Sequence, residues 1–152
     1  FAHRNYLIDV KILRIFSVYG PGLRKQIFWD MYQKMKQTGK LELFGSGEES
    51  RDYIYIDDLV AAVRLIADKA SFEDIYFNIA NGEECTIREA AVVFAAKAGL
   101  RESNISFMGT CREGDPINWR ADISRLKKLG YSRSVSFLQG ISNYVDWVKG
   151  MG

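Results

Sequence analysis

Between Lys25 and Gln37, apolar side chains fall at Ile27, Phe28, Met31, Tyr32 and Met35, the three- and four-residue spacing of a helix with one face on a core. Thr38-Gly39 stops it. Upstream, Phe1 to Asp9 reads as the tail of an amphipathic helix. Val10 to Phe16 is a β-rich apolar strand that ends in the turn Tyr19-Gly20-Pro21-Gly22. Downstream, Leu41 to Phe44 and Asp52 to Ile56 are short strands on either side of the polar loop 45–51. Asp57 is placed to cap a helix running to Lys69, with Leu59, Val60, Val63, Ile66 and Ala67 inward.

The alternation continues to the end of the chain. Ile75 to Ile79 is a strand closed by Ala80-Asn81-Gly82, and Thr86 with Glu89 forms a capping box that opens a helix to Ala98. Ile105 to Met108 is an edge strand, and Asp122 starts a short helix ending at Gly130. Ser136 with Gln139 makes a second capping box, for a last helix through Lys149. Strand and helix in turn predict the α/β class. Two loops are long, 45–51 and 109–120, and long polar loops in a compact domain are where function concentrates.

Composition narrows this without redirecting it. Of 152 residues, 47% are hydrophobic and 26% charged, as in an ordinary soluble domain large enough for one core. Twenty-one Lys and Arg against 19 Asp and Glu leave a formal charge of +2 spread along the chain, so neither nucleic acid nor a membrane is expected as a partner. Cys85 and Cys111 lie far apart and His3 is the only histidine, which argues for free thiols and against a Cys/His metal site. No apolar run spans a bilayer and no secretory leader is visible, so a cytoplasmic location is expected. The chain starts at Phe1, in mid-helix, as a fragment would.

Three stretches could carry chemistry. Tyr19-Gly20-Pro21-Gly22 is either a turn that brings backbone to a ligand at a strand's carboxyl end or a plain connection. In Gly45-Ser46-Gly47 through Arg51-Asp52-Tyr53, the Arg51 fork suits a phosphate oxygen. Its alternative is an ordinary surface pair with Asp52 or Asp58. Arg112-Glu113-Gly114-Asp115-Pro116, followed by Trp119 and Asp122, offers a cation, a carboxylate for ribose hydroxyls and an aromatic face. It is also what a solvated loop with one half-buried Trp looks like. Other chemistries fail on spacing. Gly45 to Ser50 lacks the last glycine of a dinucleotide fingerprint and precedes a strand, and no GxxxxGK[ST] occurs. Glu48/Glu49 and Glu83/Glu84 are adjacent and point apart, unlike a glycosidase pair. A Ser/His/Asp triad would need His3, at a frayed end.

Four motifs in register do more than any one of them. Ile12-Leu13-Arg14-Ile15-Phe16-Ser17-Val18-Tyr19-Gly20-Pro21-Gly22, Leu43-Phe44-Gly45-Ser46-Gly47 with Arg51 to Leu59, Tyr76-Phe77-Asn78-Ile79-Ala80-Asn81-Gly82, and Arg112 to Asp115 with Ala121-Asp122 and Leu129-Gly130-Tyr131 follow in order over nearly the whole chain. Together they resemble the C-terminal half of NAD-dependent nucleotide-sugar epimerases and dehydratases, the extended short-chain dehydrogenase/reductase family.

The resemblance implies the C-terminal part of a Rossmann-type epimerase fold. Residues 1–22 would end the parent's dinucleotide-binding sheet, and 23–152 would form a small mixed α/β substrate-binding domain. It implies a nucleotide-diphosphate sugar as ligand, with Arg51 and Arg112 on the diphosphate, Asp115 on the ribose and Phe44 by the base. Ser17 stands where the family often has an Asn that contacts the sugar-phosphate. Lys25 and Gln26 fall at the start of a helix whose backbone meets the diphosphate, Trp119 faces the sugar, and Tyr53 is a further contact. Ser17 for Asn, and Glu42 beside Phe44, leave the sugar and the base open.

In the family, the NAD loop and the catalytic Tyr-x-x-x-Lys precede the segment where Phe1 begins, so no catalytic or cofactor-binding residue is expected in this chain. Tyr32-x-x-x-Lys36 repeats that spacing but lies within the apolar helical stripe. The parent would oxidise its sugar transiently with bound NAD, and this chain alone would not turn over. Its parallel strand 10–16 would leave an apolar edge, for which self-association is the expected remedy. Two other readings stand beside this one: a non-catalytic binding or regulatory member of the family, and an interaction domain with no small ligand.

Overall fold

Ile12–Ile15 (β1) and Ser17–Tyr19 (β2) form one extended stretch that changes partner at Phe16 in the computed structural model, which describes residues 5–6, 8–110, 114 and 116–151. β1 runs parallel to Tyr76–Ile79 (β6), with Leu13 opposite Phe77, while β2 runs parallel to Tyr53–Tyr55 (β5), with Ser17 opposite Tyr53. The switch is made locally. Phe16 N–H donates to Ile79 O at 3.1 Å, Ser17 N–H donates to Asp52 O at 3.1 Å, and Val18 N–H turns back onto Phe16 O at 2.8 Å. The sequence predicts one strand ending at Phe16. The chain instead stays extended to Tyr19, because the second ladder takes over where the first stops.

Two more ladders lie among the described residues. Leu41–Leu43 (β3) is parallel to Ile105–Phe107 (β8), and Ser50–Arg51 (β4) is antiparallel to Cys85–Thr86 (β7). Isolated two-stranded ladders are marginal in water. Here the helices Gln26–Thr38 (α1), Ile56–Lys69 (α2), Ile87–Ala98 (α3), Ser124–Lys128 (α4) and Phe137–Lys149 (α5) cover them. The α/β class predicted from the alternation is what is observed.

The side chains divide into two cores. One gathers Tyr19, Phe28, Met31, Tyr32, Leu43, Tyr53, Phe94, Tyr144 and Val148 between α1, α3 and α5; the other gathers Ile54, Ala62, Ile66, Phe77, Ile79 and Leu126 between α2, α4 and the β1–β6 ladder. Tyr32 belongs to the first core and Lys36 Nζ lies 6.0 Å from its ring centroid, so this Tyr-x-x-x-Lys spacing is a packing feature.

Local details depart from the sequence reading in three places. Tyr55 occupies the N-cap position of α2 and Asp57 sits in the first turn, because Ile56 is already helical. Val60 and Ala67 face outward. The buried stripe runs through Asp58, Ala62 and Ile66 instead, since the Asp58 carboxylate is drawn inward by Ser134 N–H at 2.9 Å, Ser134 Oγ at 2.5 Å and Val135 N–H at 3.3 Å. The capping box at Thr86/Glu89 forms in full. At Ser136/Gln139 only the Ser136 half forms, because the Gln139 amide donates along the helix to Asn143 Oδ1 at 2.8 Å.

Among the described residues, no helix is long and apolar enough to cross a membrane.

Candidate functional site

A cavity of about 650 Å³ opens where the β1/β2 switch, α1, the end of β3, the 45–51 loop and residues 117 and 119 meet. Ser17, Gln26, Phe44, Arg51, Tyr53 and Trp119 all line it. Lys25, the extended residue that precedes α1, is exposed and does not. Arg112 and Asp115 lie outside the described residues.

The walls follow from the elements. The strand switch delivers Ile15, Phe16 and Ser17 in succession, and Phe16 packs against Trp119 with ring centroids 5.1 Å apart. Helix α1 contributes Gln26, Trp29, Asp30 and Gln33, a stripe next to its apolar one. Seven residues of helix separate Gln26 from Gln33, about 10 Å of wall at 1.5 Å per residue. Gln26, the first helical residue, has φ +63°, the one left-handed non-glycine residue among those described. Such strained backbone gathers at ligand clamps. The periodicity read in the sequence identified only the apolar side of this helix; its second, polar stripe, which carries Asp30 and Gln33, was readable at the same spacing.

Arg51 is the cation of the described wall. Its Nη1 donates to Ser50 O at 2.8 Å and to Pro116 O at 2.7 Å, and no described carboxylate pairs with it. The surface pair with Asp52 or Asp58 therefore does not form, because both acids turn into the protein. Asp52 is fully buried: Oδ1 accepts from Asn81 N–H at 2.9 Å, and Oδ2 from Gly82 N–H at 2.9 Å and Ala121 N–H at 3.1 Å. Burial raises its pKa, while those backbone N–H groups pull the other way. The knot joins the strand carrying Arg51 to the turn after β6 and to the segment after Trp119, and the sequence reading did not identify it.

The two carboxylates of the described wall are each engaged. Asp30 Oδ2 meets Lys34 Nζ at 2.8 Å. Glu49 accepts from Ser46 N–H at 2.9 Å, Ser46 Oγ at 3.1 Å and Gly47 N–H at 2.9 Å. Those amides thus serve the loop's own acid. Gly47 is glycine for packing: at φ +91° a Cβ would stand 2.8 Å from the Phe107 ring. Glu48 turns the opposite way, to Arg88 Nε at 3.0 Å.

Tyr53 lines the cavity with its ring. Its hydroxyl is buried without a hydrogen-bond partner, and burial holds its pKa above the ordinary tyrosine value. A buried hydroxyl left unsatisfied costs about 1–3 kcal/mol. Tyr53→Phe is accordingly expected to raise stability by about 1 kcal/mol, read as a higher urea midpoint at unchanged slope, and to leave ligand affinity within about twofold. A loss of stability would mean that the hydroxyl has a partner. Burial pushes the Cys85 thiol up to about 12, with Glu89 adding to the shift, so it is no nucleophile at neutral pH. Among the described residues, no three metal-ligating side chains converge.

Known proteins share this fold. Residues 2–80 match the model of the NAD dependent epimerase/dehydratase family. An uncharacterised UDP-glucose epimerase of Bacillus subtilis is 29% identical over 150 residues, which are 97% of this chain and 47% of that protein. The UDP-glucuronic acid 4-epimerase of Bacillus cereus, solved with UDP-glucuronic acid and NAD, superposes with a TM-score of 0.86 at 28% identity, covering 99% of this chain and 48% of that one. The dTDP-glucose 4,6-dehydratase of Streptomyces venezuelae, solved with NAD and TYD bound, gives 0.86 at 26% identity over 98% of this chain and 46% of that one. The chain spans about half the length of the relatives it matches.

Proposed function

Because the chain belongs to the NAD-dependent epimerase/dehydratase family, we propose that it is the part of such an enzyme that binds and orients a nucleotide-diphosphate sugar in the cytoplasm, for epimerisation or dehydration of the sugar. In this reading, residues 1–22 end the dinucleotide-binding sheet and 23–152 form the substrate-binding part. The observation that carries it is Arg51: a guanidinium on a cavity wall, anchored by two carbonyls, unpaired with any described carboxylate, and sharing that cavity with Phe44, Ser17 and Trp119. Nη1 makes both anchoring bonds, so Nε and Nη2 remain to donate to a diphosphate. Phe44 takes the base. The Phe16–Trp119 pair, which lines the cavity with Ser17, takes the sugar. Arg112 and Asp115 complete the diphosphate and ribose contacts.

The relatives solved with NAD hold it in chains about twice this length. Two of the glycine turns serve the fold itself: Glu49 accepts from the Ser46 and Gly47 amides, and Gly20 is pressed on Ile56, where a Cβ would stand 2.4 Å from its Cγ2. The chain's own contribution to catalysis is positional. It fixes the substrate by its nucleotide so that binding energy is available at the sugar. Calorimetric titration with UDP, dTDP, GDP and CDP tests the reading: one of the four is expected to bind in preference to the rest, and binding of none overturns it.

A further inference from the structure

Lys34 does not line the cavity, yet its ammonium is held at three places on the cavity's base end. Nζ donates to Glu42 O at 2.6 Å, pairs with Asp30 Oδ2 at 2.8 Å, and lies 5.6 Å from the centroid of the Phe44 ring. One contact is to β3, just before Phe44, one to a cavity carboxylate a helical turn away, and one to the exposed aromatic ring itself. An ammonium within about 6 Å of a ring is drawn to its face, and a carboxylate partner fixes where that ammonium sits.

We propose that Lys34 is a positioning residue for nucleobase binding. It holds the Phe44 ring in place for a base to stack on, while Asp30 and Glu42 O fix where the ammonium sits. The inference rests on the reading that Phe44 packs against the base. It extends that reading from the wall to a residue behind it. Arginine keeps the charge, the carboxylate pairing and the attraction to the ring, whereas methionine keeps only the stem.

The test is a double-mutant cycle on UDP affinity, read by calorimetry with the full chain. Lys34→Met is expected to weaken UDP about fivefold and Lys34→Arg to stay within about twofold of the parent, stacking on an aromatic ring being worth enough for changes of this size to be read. In a Phe44→Leu background, Lys34→Met is expected to change affinity by less than about twofold, because the lysine acts through the ring. A general loosening of the fold would lower affinity equally in both backgrounds. Equal losses in the two backgrounds, or no loss in the parent, overturn the proposal while leaving the binding reading in place. Failure of the parent chain to bind UDP, dTDP, GDP or CDP removes the binding reading, and this proposal with it.

Discussion

Arg51→Ala is expected to weaken nucleoside diphosphate binding between about ten- and a hundredfold, the worth of charge-assisted hydrogen bonds of about 1.5–3 kcal/mol. Two losses combine. The first is the cation, which no described carboxylate neutralises within the fold, so that its field is available to an anionic ligand. The second is the anchor at Pro116 O, which holds the segment leading to Trp119 against β4. Arg51→Lys separates the two: lysine restores the charge but not a fork that serves two carbonyls and a phosphate together, so recovery is expected to be partial. Unchanged affinity in Arg51→Ala, with the fold intact by circular dichroism, would remove the diphosphate from this wall.

Asp52→Ala is expected to cost about 4 kcal/mol of folding stability, a large share of the 5–15 kcal/mol that domains have. The fully buried carboxylate accepts from three backbone N–H groups, and its removal strands all three. Asn is no rescue. Oδ1 serves one donor and Oδ2 two, so an amide NH₂ in either position faces an N–H with another N–H. Urea unfolding measures both variants; a loss under about 1 kcal/mol would show that the three amides find other partners. The pH dependence runs against habit. Burial raises the Asp52 pKa above 3.8, so between that value and the raised one the folded state keeps a proton that the unfolded state has given up. Stability from this group therefore falls as pH climbs through that window, and Asp52→Asn removes the slope.

What was legible in the sequence was local. The apolar period of Ile27 to Met35, the Thr86/Glu89 box and the strand and turn residues around Ile79-Ala80-Asn81-Gly82 each act within a few residues, and each appears where it was read. The exchange of partners at Phe16 depends on β5 and β6, some 35 and 60 residues away, and nothing in Val10 to Tyr19 marks it. The same holds for the acids. Asp52, Asp58 and Glu49 read as solvated or pairing groups, yet each ends on backbone N–H groups brought by the fold. Arg51 was identifiable by its setting, and its freedom from Asp52 and Asp58 follows from those acids turning inward.

The splice at Phe16 has a mechanical meaning for the cavity. Leu13, Phe16 and Val18 pack on one core and Tyr19 is part of the other, so a single stretch of backbone bridges both. Its middle residues, Phe16 and Ser17, also line the cavity. That part of the wall is thus suspended between two anchorages, and slack in either is transmitted to it along the chain. A packing defect at Leu126, deep in one core, or at Phe94, deep in the other, reaches the cavity through the same two residues.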